Sequence, residues 1–174
     1  MKPKLLILNH AYLLFGTTVY VGVLWALHFF WYPSWQVMTL ATVQDHFIKP
    51  TSAATRFFTV VVPLMFLANF VLIYTERRYK KTLIPAIVAL AGVSTASYVG
   101  QVHIIPINKR IAAGLSDSDQ LIGLLKQWMF LNDIRWVVMT AMWLAMVYYF
   151  VVKGRLLDAL ADPGQSASQK EGLP

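Results

Sequence analysis

Four apolar runs constrain this chain more than any motif in it. They cover approximately Leu5–Trp31, Phe57–Thr75, Leu83–Ile105 and Trp136–Val152. About 20 apolar residues cross the roughly 30 Å of hydrocarbon in a bilayer. Backbone polar groups in that layer must pair within their own segment, which selects helices. The expected fold is all-α, a transmembrane four-helix bundle. Composition agrees: 57% of residues are hydrophobic and 13% charged, against about 25% charged in soluble domains. The first run follows a basic MKPK start, as in a signal peptide. Its apolar part is longer than such segments and lacks a small-residue cleavage site, so it reads as an uncleaved helix.

Basic residues set the expected orientation. Lys2 and Lys4 precede the first run, Arg77, Arg78, Lys80 and Lys81 fill the turn between the second and third, and Lys153 and Arg155 follow the fourth. The positive-inside bias makes that side cytoplasmic, with both termini there, in an integral membrane protein expected in a bacterial inner membrane. Trp25, Trp31, Tyr32 and Trp35, with Trp128 and Trp136, would mark the outer interface, and Tyr148 and Tyr149 the inner one. Residues 1–155 form the expected four-helix domain, and 156–174, rich in small and polar residues, a disordered cytoplasmic tail. The net charge of +7 flanks apolar runs and forms no basic stripe interleaved with aromatics, which argues against nucleic acid. The partners expected are the bilayer and an apolar small molecule, and a homo-oligomer fits the same reading. Cysteine is absent, which removes disulfide, thiolate and iron–sulfur chemistry.

The long connections would lie outside, at Tyr32–Arg56 and Pro106–Arg135. Ser116, with Asp119 three residues on, resembles a capping box opening the helix that leads into the fourth run. Pro50 with Thr51 and Ser52 suggests a helix start before the second, and Pro63 a bend within it.

Polar residues gather at the expected outer end. His28 ends the first run; Gln101 and His103 end the third; Asn108 follows; Trp128, Asn132 and Arg135 open the fourth. Polar groups facing lipid are costly, so they normally face the bundle interior or a cavity. Ser94, Ser97, Tyr98 and Gln101 fall at i, i+3, i+4 and i+7, one helical face, as do Trp128, Asn132 and Arg135. Small hydroxyl residues such as Ser94 and Ser97 also serve close helix packing. His10 lies about 27 Å of helix from His28 and belongs to the other end. Arg135, at the head of an apolar helix, needs an acceptor or a ligand.

The segments "IIPINKRIA" and "QWMFLNDIRWVVMTAMWLAMV" resemble the DUF1772 family of small four-helix membrane proteins, which includes anthrone oxygenases. That family tends to carry an N-x-P-x-N-like element after the third helix. A tryptophan, an asparagine and an arginine then open the fourth. The matching positions are Pro106 and Asn108, then Trp128, Asn132 and Arg135, with His103 near where an asparagine is common. The resemblance covers the four spans loosely and about the last third more closely. It implies a membrane oxidoreductase acting on an apolar aromatic substrate with dioxygen, although most members of the family have no assigned reaction. His10 is also similar in place to the early histidine of bacterial membrane-embedded protoporphyrinogen oxidase, without a match in the third segment.

In the oxygenase reading His28 or His103 takes a carbon-bound proton, and Arg135 with Asn108 and Asn132 steadies the oxygen that gains charge. Tyr98, Gln101 and Trp128 complete the expected substrate wall. Two alternatives stand beside it. One is a haem or transition-metal protein using His28 and His103, with His46 and Asp45 as further candidates. The other is a non-catalytic transport or scaffold subunit. The cofactor is unassigned, and none is required by the oxygenase reading.

Overall fold

The computed structural model describes residues 3–161. Its elements are α1 (Pro3–Ala26), α2 (Tyr32–Trp35), α3 (Lys49–Glu76), α4 (Lys80–Tyr98), α5 (Ile105–Ala112) and α6 (Ser118–Ala161). Single wide π-helical turns at Leu27–Trp31, Gln44–Ile48 and Val99–Ile104 join α1 to α2, lead into α3, and join α4 to α5. There is no strand among the described residues. The helical stretches Lys4–Trp35, Gln44–Glu76, Lys80–Ala112 and Ser118–Arg155 are each long and apolar enough to cross a membrane. The chain is an all-α integral membrane protein, a four-helix bundle.

The rods outrun the apolar runs because helix formation does not stop at the hydrocarbon edge. Much of both long connections is therefore helical. α6 starts at Ser118, and its cap is Asp117, whose Oδ1 accepts the Asp119 N–H at 3.0 Å. The cap expected at Ser116 is thus displaced by one residue, to a carboxylate that also suits the positive end of the helix. Pro50 sits in the first turn of α3, where a missing N–H costs least. The wide turn before it makes the helical run begin earlier, at Gln44. At the other end α6 continues to Ala161, past the boundary expected at residue 155. The rest of the expected tail, residues 162–174, lies outside the described residues.

Each span packs on the next, α1 on α3, α3 on α4, α4 on α6, and α6 closes back on α1. Lipid is as apolar as leucine, so close approach of backbones must supply the association. α4 carries a line of buried small residues, Ala86, Ala89, Gly92 and Ala96, of which Gly92 meets Met142 of α6. A Cβ at Gly92 would lie 2.8 Å from Met142 Cβ, so no larger residue fits there without displacing α6. The fully buried residues of this core include Leu13, Met65, Leu72, Val93, Met139 and Met142.

The two ends differ. At the end carrying the basic turn, Glu76 of α3 ties Thr82 of α4 to Tyr149 and Lys153 of α6. Tyr149, expected at an interface, is fully buried for this reason, while Tyr148 is exposed. His10 packs edge-on against Tyr149, its ring centroid 5.5 Å away. At the opposite, loop end the helices separate around a cavity.

Candidate functional site

The cavity measures about 790 Å³ and draws on all four spans. α1 contributes Tyr20, Leu24 and, in the wide turn, Leu27. α3 contributes Thr51, Thr55, Thr59 and Pro63. Ser97, Gly100, Gln101 and Asn108 come from the third span, and Trp128, Asn132 and Arg135 from α6. Two of the three wide turns meet the cavity wall, at Leu27 and Trp31 and at Gly100, Gln101 and Ile104. Such turns displace side chains from the regular helical face and occur often at functional sites. Trp35, Phe47 and Trp128 meet edge-to-face at the loop end, with centroids 5.0–5.4 Å apart.

The polar groups form one connected strip. Trp128 Nε1 donates to Asn108 Oδ1 at 2.8 Å. Asn132, 1% exposed, donates through Nδ2 to the Trp128 carbonyl at 3.0 Å and accepts from Arg135 Nη1 at 2.7 Å. Arg135 Nη2 donates to the Tyr20 hydroxyl, with the guanidinium 5.3 Å from that ring's centroid. Gly100 lies against the guanidinium, with its Cβ position 3.8 Å from the guanidinium carbon, an ordinary contact distance.

What Arg135 lacks matters more. It makes no ion pair among the described residues. Its Nε is buried without an acceptor, as is the Ser97 hydroxyl, and both residues line the cavity. A guanidinium always carries its charge and offers five donors. Held by two neutral oxygens in apolar surroundings, it is arranged to receive an oxyanion or a carbonyl from whatever fills the space.

Five of the eight residues expected from sequence line the cavity: Gln101, Asn108, Trp128, Asn132 and Arg135. Three do not. Tyr98 and His103 are exposed and contact each other, ring centroids 5.7 Å apart. The cavity-facing side of the third span is centred on Ala96, Ser97 and Gly100, so Ser94 and Tyr98 lie at the outer edge of the expected face, and His103, beyond them in the wide turn, is also outside. His28 lies on the seam between α1 and α6, its Nδ1 donating to Asp133 Oδ1 at 2.9 Å and its ring stacked on Trp136 at 4.7 Å. His28 and His103 therefore do not share the cavity, correcting the expectation that both line it. His46 is exposed on the wide turn Gln44–Ile48, and Asp45 pairs with Lys49. No group of three metal-ligating side chains occurs among the described residues. The residues present do not fit a haem held between His28 and His103.

Tyr20 and the α3 threonines were not expected. Thr51, Thr55 and Thr59 repeat every four residues, a signal present in the sequence. Tyr20 carries none, because its partner is 115 residues away. Comparison with known protein families, curated proteins and solved structures finds no match to this chain.

Proposed function

We propose that this protein is a membrane oxidoreductase of the anthrone-oxygenase kind that holds an apolar aromatic small molecule by one oxygen on Arg135. The observation that supports it is a guanidinium with no ion pair among the described residues, and with a buried, unpartnered Nε, at the side of an apolar cavity. A pocket of about 300–1,000 Å³ is typical for a small organic ligand. The apolar walls take the rings, and Arg135, Asn132 and Ser97 supply the few polar contacts that set orientation.

In such a substrate, loss of a proton from the ring carbon opposite a carbonyl leaves an enolate. Its oxygen gains charge that the planar guanidinium fork is placed to stabilise. The electron-rich carbon then reacts with dioxygen, the net change being a ring CH2 and O2 to a ring C=O and water. The part this chain's cavity residues support is stabilisation of the oxyanion. The imidazoles expected to accept the proton lie off the cavity wall. By the positive-inside bias, the cavity end faces away from the cytoplasm of a bacterial inner membrane.

The test is oxygen uptake with anthrone by protein in lipid nanodiscs, comparing the native chain with Arg135→Lys and Arg135→Ala. Removing one oxyanion donor typically costs about 100–1,000-fold in rate. Lysine keeps the charge and loses the fork, so both variants should fall by comparable amounts. Native turnover in Arg135→Lys, with folding verified by gel filtration, would reduce Arg135 to an anchoring charge and overturn the proposal.

A further inference from the structure

We infer that the aromatic ligand held by its oxygen on Arg135 is a membrane-borne amphiphile, carrying an apolar chain that leaves the bundle sideways, between α3 and the third span, into the surrounding leaflet. The inference rests on the assignment of Arg135 as the head-group holder and adds the class of molecule and its route.

The two halves of α3 behave differently. Its buried side chains are Met65, Ala68, Asn69, Leu72 and Glu76, and none lies between Lys49 and Leu64. The half nearer the basic end has a fully buried residue at each turn, whereas the other half packs only through partly buried side chains such as Phe58, Val61 and Val62. Pro63 marks the junction. It has no N–H for the Thr59 carbonyl, so the helix is weakest where full burial stops.

A residue that both lines a cavity and is exposed lies on its mouth. Pro50, Thr55, Thr59, Pro63 and Leu67 meet this description on α3, Trp31 meets it on the first wide turn, and Gln101 meets it across the gap, so the mouth runs from the loop end down the side of the bundle. Thr59 is 17 residues from Glu76, about 25 Å of helix, within the roughly 30 Å of hydrocarbon measured from the basic end. The part of the mouth from Thr59 to Leu67 therefore opens on lipid. A molecule already dissolved in the leaflet reaches it without leaving the membrane.

The rim suits a hydrocarbon chain. The hydroxyls of Thr51, Thr55 and Thr59 donate to carbonyls one turn back, Phe47 at 2.6 Å, Thr51 at 2.8 Å and Thr55 at 2.8 Å. Their polar atoms are satisfied inside the helix and ask nothing of a ligand. Ala54, Phe58 and Val62 complete an apolar wall on that side, while the polar strip from Arg135 to Asn108 lies on the other. The cavity is thus two-sided, as an amphiphile requires.

The experiment uses full-length protein in nanodiscs and two probes, palmitate carrying a mid-chain diazirine and chainless benzoate. After irradiation, peptide mass spectrometry should place the palmitate label at Thr59–Leu67 and Gln101–Ile105. Arg135→Met should lower that labelling by about tenfold or more, the loss expected when a charged hydrogen-bond partner is removed. Thr59→Trp, an exposed position that tolerates bulk, should lower it by filling the mouth while leaving Arg135 in place. Label spread evenly over lipid-facing residues, indifferent to both substitutions, would overturn the inference. If benzoate quenches tryptophan fluorescence in an Arg135-dependent way while palmitate shows no localised labelling, the lateral chain is refuted and the Arg135 assignment survives.

Discussion

Replacing Glu76 with alanine tests the device that closes the basic end of the bundle. The carboxylate is 2% exposed. Its Oε1 accepts from the Tyr149 hydroxyl at 2.9 Å and Lys153 Nζ at 2.8 Å; its Oε2 accepts from the Thr82 hydroxyl at 2.7 Å and Lys153 Nζ at 3.1 Å. Alanine strands these donors unequally. Tyr149 is 0% exposed and has no other acceptor among its hydrogen bonds, so its hydroxyl bears a desolvation cost of about 1–3 kcal/mol. Thr82 retains the Tyr79 carbonyl at 3.1 Å and loses little. The Lys153 side chain is 30% exposed and can extend toward the headgroups. Its ion pair therefore contributes about 1 kcal/mol, not the 3–5 of a fully enclosed pair. The sum is about 2–4 kcal/mol for Glu76→Ala. Glu76→Gln keeps an acceptor for Tyr149 and loses the charge, about 1–2 kcal/mol. Equilibrium unfolding in mixed SDS and dodecyl maltoside micelles, followed by circular dichroism, should rank native above glutamine above alanine. An alanine variant within about 0.5 kcal/mol of native, the range of ordinary surface changes, would refute the clasp. A glutamine variant as unstable as alanine would show that charge outweighs the stranded tyrosine.

Four further outcomes follow from the geometry. Gly92→Ala should destabilise by about 1–3 kcal/mol in the same assay, as overpacking does, because its Cβ would meet Met142 Cβ at 2.8 Å. Gly123→Ala, with nothing within 4 Å of the added carbon, should gain about 0.5–1 kcal/mol of helix propensity; equal effects at the two glycines would contradict the packing. His103→Ala should leave stability within about 0.5 kcal/mol of native and anthrone turnover unchanged, since the ring is outside the cavity; a large loss of turnover would return it to the site. Cysteines introduced at Arg78 and Ser118 should react with impermeant reagents from opposite faces of the membrane, and reaction from one face alone would contradict four crossings.

The bundle was legible in the sequence because the bilayer imposes a length and a polarity that a one-dimensional pattern can display. Four apolar runs with basic flanks leave little freedom in fold class. Part of the site was legible for a related reason: Trp128, Asn132 and Arg135 obey one helical spacing, and the uninterrupted α6 preserves it, so all three reach the cavity. The same reasoning failed on the third span. Ser94, Ser97, Tyr98 and Gln101 do share one side of the helix, but the neighbouring helices leave only the edge marked by Ser97 and Gln101 toward the cavity, which spacing along one chain cannot show. Ser97 and Gln101 stay on the wall, while Ser94, Tyr98 and His103 turn outward.

By itself, then, the sequence determined what is periodic or bulk: four helical crossings, their alternating direction, and a strip of polar residues at one end. Only the tertiary structure decided which of those residues meet. Tyr20 reaches Arg135 across 115 residues, Asp133 takes His28 to the α1–α6 seam, and Glu76 gathers partners from two other spans. The same packing leaves one half of α3 without a fully buried side chain and opens the cavity. The physical reason is that helical period fixes an angle around one axis, whereas a site depends on the distance between axes. That distance is set by where small residues such as Gly92 let helices close and where a proline such as Pro63 and the wide turns let them part.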